Sequence, residues 1–542
     1  MAASRFGLAL ALLASGAFAA ATAFTWQAGL ASIYDDSVSY LVMAQGLDPW
    51  SAAGAAVAAA FPRESYPPVF PLAVALVGGA HDWRIAHLLV AASFGASVFL
   101  AGWHARAVTG SSAMGLATAL TLAVLPEGWL NLKGILSEFP YLALSLATLV
   151  WHRRVREDSR RGPWIGLGAL LAAAVLTRTV GIALIAGVAA AEVLRGPRGR
   201  DRVRLARLGW VLAMPLACAA LWYAVRPTAS GDDTYVRIGS GILASVRAHG
   251  AAWLLDSALA NAASLMYSWL HALEIFWSSP WQPRALLGSA VGVLALAGVA
   301  GRALRGEADA LYAVFYVGIL LLWPFPGHMY RLGLPIVPVM LAAAWWVLAE
   351  LARAGAASRR PRYAAAASFA PLVLCLPAVL FYVAARTSGP DARAGAGAYR
   401  RSDIAEFYRI ASGPLAASIA DRQIGIFLDM ERIRATTPAS ARILWKLPDY
   451  VALLAGREGV GLPPATDEAG FARELRQRRV DYIYVTALPL RDESPGDDDP
   501  LAPGRLSRAY TDVVWSRGTA GREPEAALLK VDAARLEGIA GR

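Results

Sequence analysis

The sequence predicts an all-α, polytopic membrane domain of about eleven transmembrane helices, followed by a small α/β domain. The chain of 542 residues is 57% hydrophobic and 17% charged, whereas about a quarter of the residues in a soluble domain are charged. Long apolar runs recur up to about residue 387, and the rest of the chain is polar. We therefore expect a transmembrane domain over residues 1–387 and an α/β domain over residues 388–542.

The apolar runs define the predicted spans. The first extends from Phe6 to about Leu30, which is longer than the apolar core of about 7–15 residues in a signal peptide, so we expect an uncleaved helix. Two other apolar stretches, Val69–Ala80 and Ser264–Trp277, are too short or too polar to cross, and we interpret them as helices on the outer surface. The remaining predicted spans are 84–103, 111–126, 138–151, 164–178, 180–194, 206–225, 284–301, 308–325, 331–351 and 363–385.

The arginines predict the orientation of these spans. If the N-terminus is cytoplasmic, basic residues concentrate in the inner loops, for example at 152–161, 195–207 and 353–362, while the outer loops contain few. This bias is the positive-inside pattern of multi-pass proteins of the cytoplasmic (inner) membrane. It also accounts for the net charge of +11 without a nucleic-acid partner. An odd number of spans then makes residues 388–542 extracytoplasmic.

Strand and helix patterns predict the fold of this C-terminal domain. Ala441–Trp445, Asp481–Thr486 and Ala526–Val531 have the composition of strands, and Phe471–Arg479 has that of a helix before the second strand. Arg491–Arg505 is rich in Asp and Pro, which is typical of a loop.

Acidic residues at predicted outer helix ends are candidates for catalysis, because charge is costly near lipid. Asp35 and Asp36 follow the first span, and one carboxylate can face a cavity while the other caps the helix Ser37–Leu47. Glu138 opens a later span, five residues after Lys133. The alternatives are an ordinary helix cap for the aspartates and a first-turn acid that favours the helix dipole for Glu138.

Two arginines lie on the side of the membrane that has few arginines. Arg178 is in a Thr-Arg-Thr turn between two short spans, and Arg331 follows His328 and Tyr330 before a late span. A planar guanidinium group suits phosphate, and snorkelling to the interface is the alternative. Carboxylates and cations at one membrane face suit transfer from a lipid phosphate, with a carboxylate as base and cations at the leaving phosphate.

The tyrosines that neighbour these motifs are predicted to line a substrate cavity: Tyr34, Tyr40, Tyr66 and Tyr330.

In order along the chain, these motifs resemble those of GT-C-fold glycosyltransferases. More closely, the sequence is similar to the broad bacterial group that includes the aminoarabinose transferase of lipid A and the protein O-mannosyltransferases. The chain differs from them in an Asp-Asp pair where the mannosyltransferases usually have Asp-Glu, and in Ser-Tyr before Pro-Pro where the aminoarabinose group has Lys-Pro-Pro. The matching motifs are Asp35-Asp36 with Tyr40-Leu41, Tyr66-Pro67-Pro68, Ser137-Glu138, Thr177-Arg178, Arg331 with Leu334-Pro335, and Glu431-Arg432-Ile433-Arg434 with Thr437-Pro438.

The resemblance implies a reaction and a set of partners. The donor would be a polyprenyl-phosphate sugar, and the acceptor would be a lipid, glycan or protein outside the cytoplasm. The configuration at the anomeric carbon of the sugar would invert in one displacement, with membrane lipids as the surroundings. The resemblance implies catalytic roles for Asp35, Asp36 and Glu138, and contacts to the donor phosphate from Lys133, Arg178, His328 and Arg331.

Metal use varies across this fold. If the site uses Mg²⁺ or Mn²⁺, the oxygen ligands would be Asp35, Asp36 and Glu138. Two other classes of protein stay open at this point. One is a polytopic lipid or solute transporter, although no internal repeat of the kind common in transporters is present in the sequence. The other is a non-catalytic, lipid-binding relative.

Overall fold

The chain folds into many helices and one mixed β-sheet in the computed structural model. The structure describes residues 2–26, 30, 36–63, 66–156, 158, 160–195, 201–226, 234–273, 283–324, 328–354, 360–388, 416–463, 467–486, 504–505, 507–518 and 524–540. Up to residue 388 the described α-helices are α1 (Ala2–Thr25), α2 (Ser37–Gly46), α3 (Ala55–Ala60), α4 (Val69–Leu76), α5 (Trp83–Thr109), α6 (Ser112–Ala123), α7 (Pro126–Asn131), α8 (Glu138–Val155), α9 (Arg161–Val175), α10 (Ile182–Arg195), α11 (Asp201–Val225), α12 (Thr234–His249), α13 (Ala252–Leu273), α14 (Pro283–Leu304), α15 (Ala308–Leu321), α16 (Met329–Gly333), α17 (Val337–Ala354), α18 (Arg360–Ala367) and α19 (Ala370–Ser388). Single 3₁₀ turns lie at Phe61–Arg63, Thr179–Gly181 and Leu334–Ile336.

The chain divides into two compact units. The helical unit comprises Met1–Ala28, Tyr66–Arg226 and Thr234–Ala396. The sheet unit comprises Gly29–Ser65, Pro227–Asp233 and Gly397–Arg542. Helices α2 and α3 therefore belong to the same unit as the C-terminal residues, although they precede residue 387 in the sequence.

The helices confirm that the chain is a multi-pass membrane protein. Each of the eleven predicted spans overlaps a helix. The described helices long and apolar enough to cross a membrane number six: Arg5–Thr25, Trp83–Thr109, Val203–Val225, Ala285–Leu304, Met329–Ala354 and Pro361–Leu380. Shorter apolar helices are Ser112–Ala123, Arg161–Val175 and Ala308–Leu321.

The two stretches interpreted as outer surface helices are also helical. Val69–Ala80 contains the short helix α4. Ser264–Trp277 is the second half of α13 as far as Leu273, and its last four residues lie outside the described part of the chain.

Glycines allow the helices of the helical unit to pack closely, as is common where helices pack within lipid. A Cβ on Gly187 of α10 would lie 2.5 Å from the backbone nitrogen of Tyr312 in α15. A Cβ on Gly298 of α14 would lie 2.1 Å from the carbonyl oxygen of Ala343 in α17. Any larger residue at these positions would force the helix pairs apart.

The sheet unit is built on five strands in the order β2-β1-β3-β5-β4. Strands β2, β1 and β3 are parallel, while β5 is antiparallel to both β3 and β4. The strands are β1 (Arg442–Leu444), β2 (Glu458–Val460), β3 (Tyr482–Thr486), β4 (Thr511–Arg517) and β5 (Ala526–Val531). The remaining elements are helices α20 (Ala416–Thr436), α21 (Glu468–Gln477) and α22 (Ala533–Ala540), with short helical turns at Pro448–Tyr450, Val451–Ala455 and Arg508–Tyr510.

An apolar core joins the sheet to its helices. Phe471 and Leu475 of α21 and Leu536 of α22 pack with Ile483 and Leu529 from the central strands. Helices α2 and α3 pack against the segment from Pro448 to Val460, which contains β2. The three strands predicted from the sequence coincide with β1, β3 and β5, and the predicted helix coincides with α21.

Candidate functional site

Glu138 is the centre of a cluster of charged side chains in the helical unit. Its side chain is 1% exposed and lies at the start of α8. The carboxylate oxygen Oε1 is 2.7 Å from Nη1 of Arg178 and 3.2 Å from Nε of Arg331. Both arginines are 12% exposed. Three residues that are far apart in the sequence therefore form one largely buried ion-paired group.

A tight turn holds Arg178 in place. The turn follows α9, and Arg178 has an extended backbone (φ −147°) just before the 3₁₀ turn. Gly181 is required because a Cβ there would be 2.7 Å from the backbone of Val175. Arg178 Nη1 also donates a hydrogen bond to the hydroxyl oxygen of Ser137, at 3.1 Å. The Thr-Arg motif is thus a structural turn that aims one guanidinium group at the start of α8.

The residues after Pro67-Pro68 attach to the same turn. The backbone N–H of Val69 donates to the carbonyl oxygen of Leu176, at 2.9 Å. Tyr66, which precedes the prolines, is half-buried. The Pro-Pro segment and the Thr-Arg turn are therefore one connected structure.

A tyrosine fixes the short helix that contains Arg331. The hydroxyl of Tyr316 in α15 donates to the carbonyl oxygen of Leu332 in α16, at 2.7 Å. Tyr316 stacks on Tyr141 with ring centroids 6.5 Å apart, and the hydroxyls of Tyr141 and Tyr312 are 3.1 Å apart. These buried aromatic rings hold α8, α15 and α16 together beside the ion pairs.

Two further charged residues, Glu127 and Lys133, belong to this group. We call the five residues the Glu138 cluster: Glu127, Lys133, Glu138, Arg178 and Arg331. Glu127 of α7 and Lys133 are both completely buried. Burial raises the pKa of Glu127 to about 8. The hydrogen bond from Asn131 and the positive charges of Lys133 and Arg331 oppose this rise, whereas the negative charge of Glu138 adds to it. Sequence reasoning missed Glu127; the only signal is an acid directly after an apolar run, at Pro126-Glu127.

The charges of the Glu138 cluster favour an anionic ligand. The cluster contains three cationic and two acidic side chains, so its net charge is +1 when both acids are ionised and +2 when Glu127 is protonated. Guanidinium and ammonium groups that are shielded from water bind phosphate oxygens strongly. The cluster therefore has the composition of a phosphate-binding site.

The other predicted site residues lie near the cluster in sequence or in the other unit. His328 and Tyr330 flank Met329 at the start of α16, next to Arg331, and both are half-buried. Asp36 and Tyr40 belong to the sheet unit, where Tyr40 is buried in α2. Tyr34 and Asp35 lie outside the described residues.

Asp36 begins α2 without capping it through its side chain. Its backbone carbonyl accepts the N–H of Tyr40 at 3.0 Å, while its carboxylate makes no hydrogen bond to the described first turn of the helix. The capping role expected for an acid at this position does not occur.

The described residues do not fit a site for Mg²⁺ or Mn²⁺. Among them there is no group of three or more His, Cys, Asp and Glu side chains able to hold a metal ion. The Glu138 carboxylate is bound by two guanidinium groups, whose positive charge disfavours a divalent cation at the same oxygen.

The fold of the chain is similar to that of three solved structures. ArnT from Cupriavidus metallidurans in the apo state matches with a TM-score of 0.52 and 13% identity, over 99% of each chain. ArnT from the same organism bound to undecaprenyl phosphate matches with a TM-score of 0.49 and 14% identity, over 97% of this chain and 98% of that one. The arabinofuranosyltransferase AftD from Mycobacteria matches with a TM-score of 0.42 and 15% identity, over 97% of this chain and 40% of that one.

Sequence comparisons add no relative. No protein-family model matches the chain, and no curated protein sequence matches it. The likeness to apo ArnT over nearly the full length shows the fold, and this is the fold that the resemblance of the motifs predicted.

Proposed function

We propose that the protein is a glycosyltransferase that moves a sugar from a polyprenyl-phosphate donor to a lipid, glycan or protein acceptor. One observation carries this proposal: Glu138 joins Arg178 and Arg331 in a buried cluster with an excess of positive charge, in a chain with the ArnT fold. A phosphate group would compensate that excess charge. A transporter or a passive lipid-binding protein does not need both the Glu138 cluster at the start of α8 and a separate pair of acids, Asp35 and Asp36.

We also propose that the reaction takes place on the outer side of the cytoplasmic membrane. The arginine distribution supports eleven spans, a cytoplasmic N-terminus and an extracytoplasmic segment 388–542. In that topology the start of α8, the Arg178 turn and the start of α16 are all on the outer side.

The proposed reaction is a single displacement at the sugar. The acceptor hydroxyl attacks the anomeric carbon from the face opposite the phosphate, a new C–O bond forms, and the bond from that carbon to the phosphate oxygen breaks. Asp35 takes the proton of the acceptor hydroxyl, with Asp36 as the adjacent acid. Lys133, Arg178, Arg331 and His328 stabilise the negative charge that develops on the leaving phosphate. The configuration at the sugar inverts.

Glu138 has a positioning role in this proposal. Its oxygen Oε1 is ion-paired with the guanidinium groups of both Arg178 and Arg331. We therefore assign Glu138 to fixing the direction of these two side chains.

Replacement of the two arginines tests the donor site. In purified full-length protein, Arg178→Ala and Arg331→Ala should each weaken donor binding more than acceptor binding. Lys at either position should rescue only part of the affinity, because it lacks the planar fork. The matched control is Arg160→Ala, since Arg160 is 80% exposed; it should bind as the parent does. Unchanged donor affinity in both Ala variants would assign the arginines to anchoring at the membrane interface.

A comparison of strains tests the overall reaction. Mass spectrometry of surface glycans and lipids should show one sugar modification that is missing in a deletion strain and restored by the parental gene. The gene encoding Arg331→Ala should restore little of it. Identical glycans and lipids in the deletion and parental strains would contradict the proposed function.

A further inference from the structure

Glu127 uses only one of its two carboxyl oxygens in hydrogen bonds to the described residues. Asn131 Nδ2 donates to Oε1 of Glu127 at 2.6 Å and to its backbone carbonyl oxygen at 2.9 Å. The other carboxyl oxygen, Oε2, is buried and has no hydrogen-bond partner among the described residues. A buried polar atom without a partner is costly, so this oxygen calls for a functional explanation.

A protonated carboxyl group fits these contacts. In the neutral acid one oxygen is a carbonyl acceptor and the other is a hydroxyl donor. Oε1, which receives the Asn131 amide, is then the carbonyl, and Oε2 is the hydroxyl. Because burial raises the pKa of Glu127 to about 8, the neutral acid outnumbers the carboxylate by about tenfold at pH 7.

We propose that Glu127 is a neutral hydrogen-bond donor of the phosphate site, offering the hydroxyl at Oε2 to a phosphate oxygen of the donor. This inference rests on the proposed function and adds a residue to its donor site. A phosphodiester anion has oxygens that only accept hydrogen bonds, so a hydroxyl suits it and a carboxylate would repel it. Protonated Glu127 also leaves the Glu138 cluster with its larger positive charge.

Several charged or titratable groups surround α7. Lys133, Glu138 and Arg331 act on Glu127 directly. Helices α13, α16 and α19 pack against α7, and so do α1 and α5, whose Phe24 and Phe94 rings contact Trp129. The remaining described titratable side chains of these five helices are Arg5, Arg84, His87, His104, Arg106, Asp256, Tyr267, His271, Tyr330 and Cys375. Histidines ordinarily titrate near pH 6.5 and lysines near pH 10.4. A transition near pH 8 therefore distinguishes Glu127 from both. A thiol such as that of Cys375 ordinarily titrates near pH 8.5, and the loss of the transition in Glu127→Gln distinguishes Glu127 from it.

The pH dependence of ligand binding tests the role of Glu127. The ligand is farnesyl methyl phosphate, a phosphodiester whose single charge does not change over this range, and the protein is the full chain in detergent. Between pH 7 and pH 9.5 the dissociation constant of the parent should rise about tenfold, as Glu127 ionises beside the bound anion. Glu127→Gln should bind as tightly as the parent at pH 7 and show no alkaline loss.

Two variants separate Glu127 from other groups. Glu192→Gln changes another buried glutamate, which contacts His152 and Arg207 instead, and should keep the pH profile of the parent. Lys133→Arg replaces the lysine by a group that stays charged, and it should also keep the loss near pH 8. Removal of that loss by Lys133→Arg would assign the transition to Lys133 and overturn the inference.

Proton uptake gives a second measurement that needs no variant. Calorimetry of the parent in buffers with different ionisation enthalpies should show uptake of about half a proton on binding at pH 8 and close to none at pH 6.5. Binding without proton uptake, or with equal alkaline loss in the parent and Glu127→Gln, would overturn the role of Glu127 and leave the donor site intact. No binding by the parent at any pH would instead contradict the proposed donor site itself.

Discussion

At the scale of single residues, Glu138 shows how one acid determines the positions of two cations. Arg178 and Arg331 come from different helix ends, and both reach the same carboxylate oxygen. Removal of one partner from a buried ion pair leaves uncompensated charge, which is strongly destabilising. Glu138 is therefore as important for the shape of the proposed phosphate site as the arginines that would contact the phosphate.

Glu138→Gln should separate a positioning role from a catalytic one. Loss of the buried charge should lower the free energy of unfolding by about 3 kcal/mol and should also weaken donor binding. Thermal unfolding and donor titration measure the two effects. Glu192→Gln is the matched control, because it breaks ion pairs with His152 and Arg207 elsewhere and should destabilise without an effect on the donor. Unchanged stability and donor affinity with lost turnover would instead make Glu138 the catalytic base.

Asp35 is the proposed base, and its neutral amide tests that role. Asp35→Asn should preserve folding and donor binding but lower turnover by about 10²–10⁴-fold, since an amide cannot accept the proton. Asp36→Asn should lower turnover by less, because Asp36 does not cap α2 through its side chain and is not the proposed acceptor of the proton. Turnover measured with a membrane preparation would check both. Near-parental turnover of Asp35→Asn would mean that another group is the base.

Metal dependence can be checked in the same assay. Equal losses in Asp35→Asn and Asp36→Asn, together with inhibition by EDTA and recovery with Mn²⁺, would show that the two acids share a metal ion. The proposed mechanism expects unequal losses and no effect of EDTA.

At the scale of elements, α16 is a helix of five residues that depends on its neighbours for its position. The Tyr316 hydroxyl holds it through the Leu332 carbonyl oxygen, directly after Arg331. Tyr316→Phe removes one buried hydrogen bond, worth about 1 kcal/mol, and should release α16 without a cavity. We expect donor affinity to fall by about fivefold while the thermal stability changes little. Equal donor affinity in Tyr316→Phe and the parent would show that packing alone positions Arg331.

The sequence predicts the elements whose pattern is local and misses those that depend on distant partners. The helices follow from long apolar runs, and β1, β3 and β5 from short runs of β-branched and apolar residues. Strand β2 is only three residues with a central Gly459, and β4 has a register shift between Val513 and Trp515 that breaks alternation. Glu127 was missed for a related reason, since its significance comes from Lys133, Glu138 and Arg331, which only the fold brings near it.

At the scale of the whole molecule, two ion-paired groups lie at opposite ends of α8. Glu138 is at the start of the helix, whereas Arg153 and Arg156 near its end are 3.8 Å from the carboxylate of Glu307. Arg195 and Arg302 from the ends of α10 and α14 also contact Glu307. The 18 residues of α8 rise about 27 Å, close to the hydrocarbon thickness of about 30 Å. This separation is consistent with one group at each membrane face.

The two groups lead to a prediction for the orientation of the whole chain. With eleven spans and a cytoplasmic N-terminus, the ends of α8, α10 and α14 and the start of α15 all fall on the inner side, where Glu307 joins them. The Glu138 cluster and residues 388–542 then fall on the outer side. Reporter fusions after Arg386 should therefore show extracytoplasmic activity, whereas fusions after Arg305 should show cytoplasmic activity. A cytoplasmic signal after Arg386 would contradict the odd number of spans, and it would separate the C-terminal segment from an outer active site.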